Sequence, residues 1–266
     1  LGIRGAAYAT VLSQFVALIW QFWIFSNPKE LIHLKRGIYS LRGDLMKNII
    51  GIGISPFSMN VCACMVVIFI NNQLVRFGGD MSVGAFGIAN RIVFIFVMFV
   101  MGINQGMQPI AGYNYGAQKL DRMMQVVKLS IIAATVIMIF GWFLAMLAPR
   151  QCVSLFTTDQ HLIDTTVHGM QRMMMMLPIV GYQMVITNFF QCIGKVKISI
   201  FLSLSRQLLF LLPALALLPI WFGLDGVWLA QPVSDLIASV VTAWIMIVYM
   251  HKFKLQHKEN QYGRQE

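Results

Sequence analysis

Charge is scarce in this chain. Only 11% of its 266 residues are charged, acids number ten and cysteines four, while 58% of positions are hydrophobic. Each shortage excludes something. So little charge, at a mean hydropathy of +0.71, excludes an ordinary water-soluble domain and leaves a polytopic, all-α protein of the lipid bilayer. No paired carboxylates and no Ser-His-Asp set stand out, so the chain is not read as an enzyme. The cysteines, Cys62, Cys64, Cys152 and Cys192, lie in or beside apolar runs. Cys62 and Cys64, two apart, point to different faces of a helix, so neither a disulfide framework nor a metal clip is suggested.

What charge there is has one dominant sign. A net charge of +10 could mean nucleic acid, but its distribution argues against that partner. Fourteen of the twenty basic residues fall in alternate connections: Lys29, Lys35, Arg36, Arg42 and Lys47; Lys119, Arg122 and Lys128; Lys195 and Lys197; and Lys252, Lys254, Lys258 and Arg264. The intervening connections hold Arg4, Arg76 and Arg150 against Asp80, Asp159, Asp164 and Asp225. This asymmetry is the pattern of basic loops retained in the cytoplasm.

Allowing about 20 apolar residues per crossing, seven spans can be marked, at roughly 6–25, 49–76, 82–104, 123–147, 164–192, 198–221 and 225–250. Residues 26–48 form a basic cytoplasmic linker. In it Leu31, Ile32, Leu34, Ile38, Leu41 and Leu45 keep a helical spacing, which fits an interfacial helix or a plain charged linker. Residues 251–266 read as a basic cytoplasmic tail. The first residue is Leu1, with no secretory signal ahead of it, so a fragment is expected. Self-comparison supports that expectation. Residues 1–23 laid over 222–244 match Gly2 with Gly223, Gly5 with Gly226, Ala9 with Ala230, Ser13 with Ser234, Ala17 with Ala238 and Trp23 with Trp244. If these are the last helices of two repeated halves, the second half runs from about residue 45 to 250 and roughly 175 residues are missing upstream.

Met101 to Arg122 is the most informative stretch. Gly102, Gly106, Pro109, Gly112 and Gly116 argue that the run does not continue as a plain membrane helix, with Asn104, Gln105, Gln108 and Asn114 placed to satisfy released carbonyls. A phosphate cradle is the rival reading. It fails because the stretch lacks a Gly-Lys-Ser/Thr ending and follows a membrane span, not a strand. The string Gln105, Gly106, Gln108, Pro109, Gly112, Tyr113, Asn114, Gly116 and Ala117 resembles the hallmark of the multidrug and toxin extrusion (MATE) transporters, where it ends one helix, opens the next and has a structural and gating role. The resemblance implies two six-helix lobes around a central cavity. It assigns residues 1–25 to the final helix of an N-terminal lobe, the rest of which is missing, and 49–250 to a complete C-terminal lobe. It further implies a bacterial inner-membrane antiporter that exports small lipophilic or cationic compounds, with no cofactor beyond a coupling H+ or Na+.

Coupling needs a carboxylate inside the membrane. Asp235 lies about ten residues into the last span, so at 1.5 Å per residue it is ~15 Å deep, near the midplane of a ~30 Å core. A charge there costs ~2.5–3.5 kcal/mol, so it needs a partner or a purpose. Arg206 reaches a similar depth from the opposite side, which leaves open a salt bridge or a part in coupling. Some MATE members carry an acid in the first helix of the C-terminal lobe. Here Cys64 stands at that place, and the principal ion site is expected in the missing lobe. Asn60, after Pro56, and Gln183 and Asn188, after Pro178, are candidate cavity residues because kinked helices create openings. Asn90, Arg91, Arg172, Gln191 and Gln207 are read as helix-joining polar groups.

Nineteen methionines, with a run from Met173 to Met176, invite a copper reading, but four consecutive residues go round a helix. Adaptable packing, or a soft wall for lipophilic ligands, fits better. His161, Asp164 and His168 share one helical face, and solvated histidines beside a helix-start acid are preferred over a metal site there. A flippase of lipid-linked oligosaccharides or polysaccharides, built on a related two-lobed plan, is the alternative function. It would want many basic residues facing the cavity.

Overall fold

The computed structural model describes residues 2–27 and 43–262; the expected interfacial helix falls mostly on residues 28–42, which lie outside them. Every regular element among the described residues is helical. The chain divides into two compact units, Leu1–Ile54 and Ser55–Glu266.

The first unit holds α1 (Gly2–Phe25) and the start of α2 (residues 43–78). Helix α1 is apolar all round, and its large side chains from Tyr8 to Phe25 are exposed, with the rings of Trp20 and Trp23 5.6 Å apart. Such a helix has no polar face to turn toward water.

The second unit contains the rest of α2, then α3 (residues 80–116), α4 (Leu120–Leu147), α5 (Pro149–Ser154), α6 (Gln160–Met173), α7 (Leu177–Cys192), α8 (Val196–Phe222) and α9 (Leu224–Tyr262). Glycines at left-handed φ, Gly194 at 77° and Gly223 at 57°, make the short turns before α8 and α9. Ala7–Phe25, Leu120–Leu147, Val196–Phe222 and Leu224–Met250 are each long and apolar enough to cross a membrane, and α6 and α7 pass that test together as one bent span. The 57-residue piece Asn60–Gly116 is broken at Gly79 (φ 70°, ψ −176°) and is nearly three times the length that a ~30 Å core demands, so it supplies two crossings. The protein is an all-α, multi-pass membrane protein with seven such spans among its described residues.

Three helices show detail beyond their apolar length, and the first of them corrects an expectation. First, the glycine-rich stretch does not interrupt α3, which stays helical through Pro109 to Gly116. A proline removes one donor, and a single missing bond does not break so long an apolar helix. Of the amides placed to satisfy carbonyls, Asn114 does so, its Nδ2 donating to Ile110 O at 2.8 Å, whereas Gln108 reaches across to α7. Nor do Gly102, Gly106 and Gly116 admit a neighbour, since a Cβ at any of them would meet nothing within 4 Å.

Second, the span expected at 164–192 is two helices bent by 56° at Met174–Met176. Asp159 caps α6 by accepting from the backbone N–H of His161 at 3.0 Å, and Pro178 sits in the first turn of α7, where a missing donor costs nothing. Third, α8 is not uniform, because Ser205–Leu211 is π-helical, with Leu212 N–H donating to Gln207 O. Beyond the last span α9 continues helically to Tyr262.

Close packing in the second unit depends on small residues. A Cβ at Gly181 on α7 would lie 3.0 Å from the Ala134 carbonyl oxygen on α4, and one at Gly169 on α6 would lie 2.3 Å from the Trp228 indole on α9. Around these contacts Phe189, Phe190, Met107, Met123, Met138, Met170 and Met174 are fully buried, while Met175 is half exposed. Methionine here fills irregular core space.

Candidate functional site

Three helices turn polar faces toward one groove. Helix α3 contributes Met101, Asn104, Gln105 and Gln108, a spacing of three, four and seven residues. Helix α7 contributes Gln183, Met184, Thr187, Asn188 and Gln191, and α8 contributes Ser199, Leu202, Ser203, Arg206 and Gln207. The groove they enclose has a volume of about 410 Å³, within the range of small-molecule sites. All three helices lie in the second unit.

The groove is tied together at a few points. Gln108 Nε2 donates to Asn188 Oδ1 at 3.0 Å, fastening the hallmark stretch on α3 to α7. Tyr182 Oη donates to Ser239 O at 2.6 Å, fastening α7 to α9. Helix α9 holds Arg206 at both ends. Ser234 Oγ donates to its carbonyl oxygen at 2.9 Å, and Asp235 Oδ1 lies 3.0 Å from its Nε. The Asp235 side chain is 7% exposed and that of Arg206 27% exposed, so the carboxylate is buried behind the guanidinium and only the guanidinium reaches the groove.

Other polar groups on the wall are unsatisfied. Asn104 Oδ1, Gln183 Oε1 and Gln207 Oε1 are buried carbonyl oxygens with no hydrogen-bond partner, three of the five such side-chain atoms among the described residues. A buried acceptor left unpaired costs ~1–3 kcal/mol, so the wall of this groove carries a local stability cost that most of the interior does not.

The structure thus gathers Gln183, Asn188 and Arg206 with Gln105 and Gln108 of the hallmark, and sets Asp235 directly behind them. Asn60 does not join them; it is exposed on α2. Of the remaining hallmark residues, Gly106, Pro109, Gly112, Tyr113, Asn114 and Gly116 lie on α3 outside the lining set. Sequence reasoning passed over Asn104, Thr187, Ser199, Ser203 and Gln207 as wall residues. The signal was present as the helical repeat of polar side chains, amides at 104, 105 and 108, and hydroxyls, a guanidinium and an amide at 199, 203, 206 and 207.

The other span arginines are placed differently. Arg172 pairs with Asp225 in the first turn of α9, its Nη1 2.7 Å from His168 Nδ1, and Arg91 is exposed on α3. Asp164 pairs with Arg150 at 2.5 Å, so the one acid on the face shared with His161 and His168 is engaged in an ion pair.

Comparison with known proteins places these features. Residues 54–215 match the family described as MatE. Over 96% of its length the chain is 24% identical to the multidrug export protein MepA of Staphylococcus aureus strain MSSA476, and over the same share 26% identical to MepA of Staphylococcus haemolyticus strain JCSC1435. It spans about half the length of these curated relatives, 55% in each case. Among solved structures it is similar to the MATE multidrug transporter DinF-BH, with a TM-score of 0.76 and 35% identity over 92% of this chain and 55% of that one. An inward-facing MATE family transporter of the MOP superfamily shares the fold, with a TM-score of 0.82 at 21% identity, covering 96% of this chain and 59% of its own.

Proposed function

Since the chain belongs to the MatE family, a family of transporters and not of enzymes, we propose that it forms the trailing part of a cation-coupled drug exporter of the bacterial inner membrane. In this reading α1 is the last helix of an N-terminal lobe carried upstream, and the second unit is the C-terminal lobe. The observation that carries the proposal is the groove on α3, α7 and α8, whose wall is built by the hallmark residues Gln105 and Gln108 and contains three unpaired buried oxygens.

Such a wall suits varied compounds. Met101, Met184 and Leu202 supply adaptable apolar contact, and the amides offer donors and acceptors that need no single partner. Export then follows from two lobes rocking around the cavity, with H+ or Na+ flowing inward. Coupling rests on mutual exclusion: a carboxylate occupied by an ion no longer stabilises a cationic substrate. No acid lines the groove, which supports assigning the main coupling carboxylate to the upstream lobe. The flippase reading fares worse, because Arg206 alone among the three span arginines lines the groove and Asp235 offsets its charge.

The test is dye efflux from cells expressing the full-length natural protein. We expect energised efflux, and expect it to stop when an aspartate in the first upstream span is changed to asparagine. Efflux continuing at the normal rate in that variant would remove coupling from that lobe.

A further inference from the structure

A second concavity lies at the turn that joins α7 to α8. It has a volume of about 480 Å³ and is lined by Gly194, Lys195, Val196, Lys197 and Ile198 of that turn and by Tyr249 of α9. Both walls lie at one membrane boundary. Residues 193–195 link two crossings, so they sit where the spans meet water, and Tyr249 is one residue short of the end of the apolar stretch Leu224–Met250. Tyrosine suits that level, with a ring for the apolar side and a hydroxyl for the wet one. Its ring meets buried Phe190 edge-on with centroids 5.2 Å apart, and Lys195 Nζ lies 5.8 Å from its centroid. The aromatic face thus positions the ammonium without neutralising it.

The positive charge of this turn is uncompensated. No acid lines the cavity, and neither lysine forms an ion pair among the described residues. The first two backbone N–H groups of α8, on Val196 and Lys197, find no backbone acceptor among them either, and they carry the positive end of the helix dipole. We propose that this cavity binds the phosphodiester headgroup of an anionic phospholipid, from the leaflet on the side of the basic connections. Lys195, Lys197 and the start of α8 hold the phosphate, and the upper part of the acyl chains lies against Val196 and Ile198. The lining decides between a lipid and a soluble anion. Two aliphatic side chains offer nothing to an ion in water, whereas a lipid brings hydrocarbon to them and charge to the lysines in one molecule. A zwitterionic headgroup would bring a cation toward two ammonium groups. Because the cavity joins the start of α8 to the membrane end of α9, a bound lipid ties those helices together. The inference needs a membrane-spanning chain and does not draw on the transport reading.

The experiment is native mass spectrometry of the full-length natural protein in detergent micelles, titrated with dioleoylphosphatidylglycerol and, separately, with dioleoylphosphatidylcholine. The two lipids share their chains and differ in headgroup charge. Each lysine near the headgroups is worth roughly 5-fold in affinity, so the first phosphatidylglycerol should bind about 25-fold tighter than the first phosphatidylcholine. Equal binding overturns the proposal without any variant being made. In Lys195→Gln/Lys197→Gln the ratio should fall to about one, and both side chains are exposed, so the variant keeps its fold. Retention of the full ratio there would place the lipid elsewhere and refute the assignment. Lys35→Gln/Arg36→Gln removes the same charge from another basic connection and should leave the ratio unchanged. An equal fall in that control would credit net charge and sink the cavity. Tyr249→Leu should lower the ratio with both lysines intact; no change would mean that loose surface lysines suffice and that no built site exists. Excess glycerol 1-phosphate should not displace the bound lipid, and displacement would make the ligand a soluble anion, against the proposal.

Discussion

The pairing of Arg206 with Asp235 makes an asymmetric demand on stability. Its two members differ in burial, the carboxylate being 7% exposed and the guanidinium 27% exposed, so removing one is not equivalent to removing the other. Arg206→Gln leaves a buried carboxylate with no counter-charge, the situation that costs ~3–5 kcal/mol when a buried pair is broken. Asp235→Asn leaves a cation that already reaches the groove and its water, so its cost lies between the ~1 kcal/mol of an exposed pair and the lower end of that range. The double variant carries two neutral amides and no lone charge. It should recover most of the larger loss, giving a coupling of about 2 kcal/mol or more in the double-mutant cycle. Reversible unfolding of the purified full-length protein in mixed micelles measures all four states. If Asp235→Asn proved as costly as Arg206→Gln, or the coupling fell below about 0.5 kcal/mol, the pair would not be holding α8 to α9 in the way its geometry states.

Further outcomes can be checked in the same assay. Gly169→Ala should destabilise by ~1–3 kcal/mol, because its Cβ would meet the Trp228 indole at 2.3 Å, while Gly84→Ala should be neutral or gain up to ~1 kcal/mol, since its Cβ would touch only Leu162 at an ordinary 3.6 Å. Gln108→Leu should cost about 1 kcal/mol by leaving Asn188 Oδ1 without its donor, and Asn188→Leu introduced with it should recover part of that loss. Asp159→Ala should cost ~1 kcal/mol through loss of the α6 cap and raise amide hydrogen exchange at His161 and Leu162 before it affects any other helix.

Much of the fold could be read from apolar length alone. Runs that exceed what a bilayer requires declare themselves without periodicity, and the boundary near Gly79 was marked by Gly78, Gly79 and Asp80 between two such runs. Departures within a span were harder. The clustered glycines at 102, 106 and 116 looked like a break, yet a glycine permits a non-helical turn without compelling one, and the backbone hydrogen bonds of α3 prevail. The bend at Met174–Met176 lies just ahead of Pro178, where a kink was legible, whereas the π segment at Ser205–Leu211 holds no proline or glycine to announce it. The groove was half legible. Gln183, Asn188 and Arg206 drew notice as polar residues in spans, but their partners on α3 became visible only when helices 80 residues apart in sequence, as Gln108 and Asn188 are, came together.

The π-helical turns around Arg206 leave a surplus in α8. Each of their rings closes over one residue more than an α-helical ring, and tightening them would feed that residue toward one end. The portion bearing Ser199 and Ser203 would then swivel by roughly a quarter turn relative to the portion bearing Leu215, with no hydrogen bond lost overall. The spot where this slack is stored is also where Ser234 and Asp235 hold Arg206, so any such tightening would have to break or carry along those two contacts with α9.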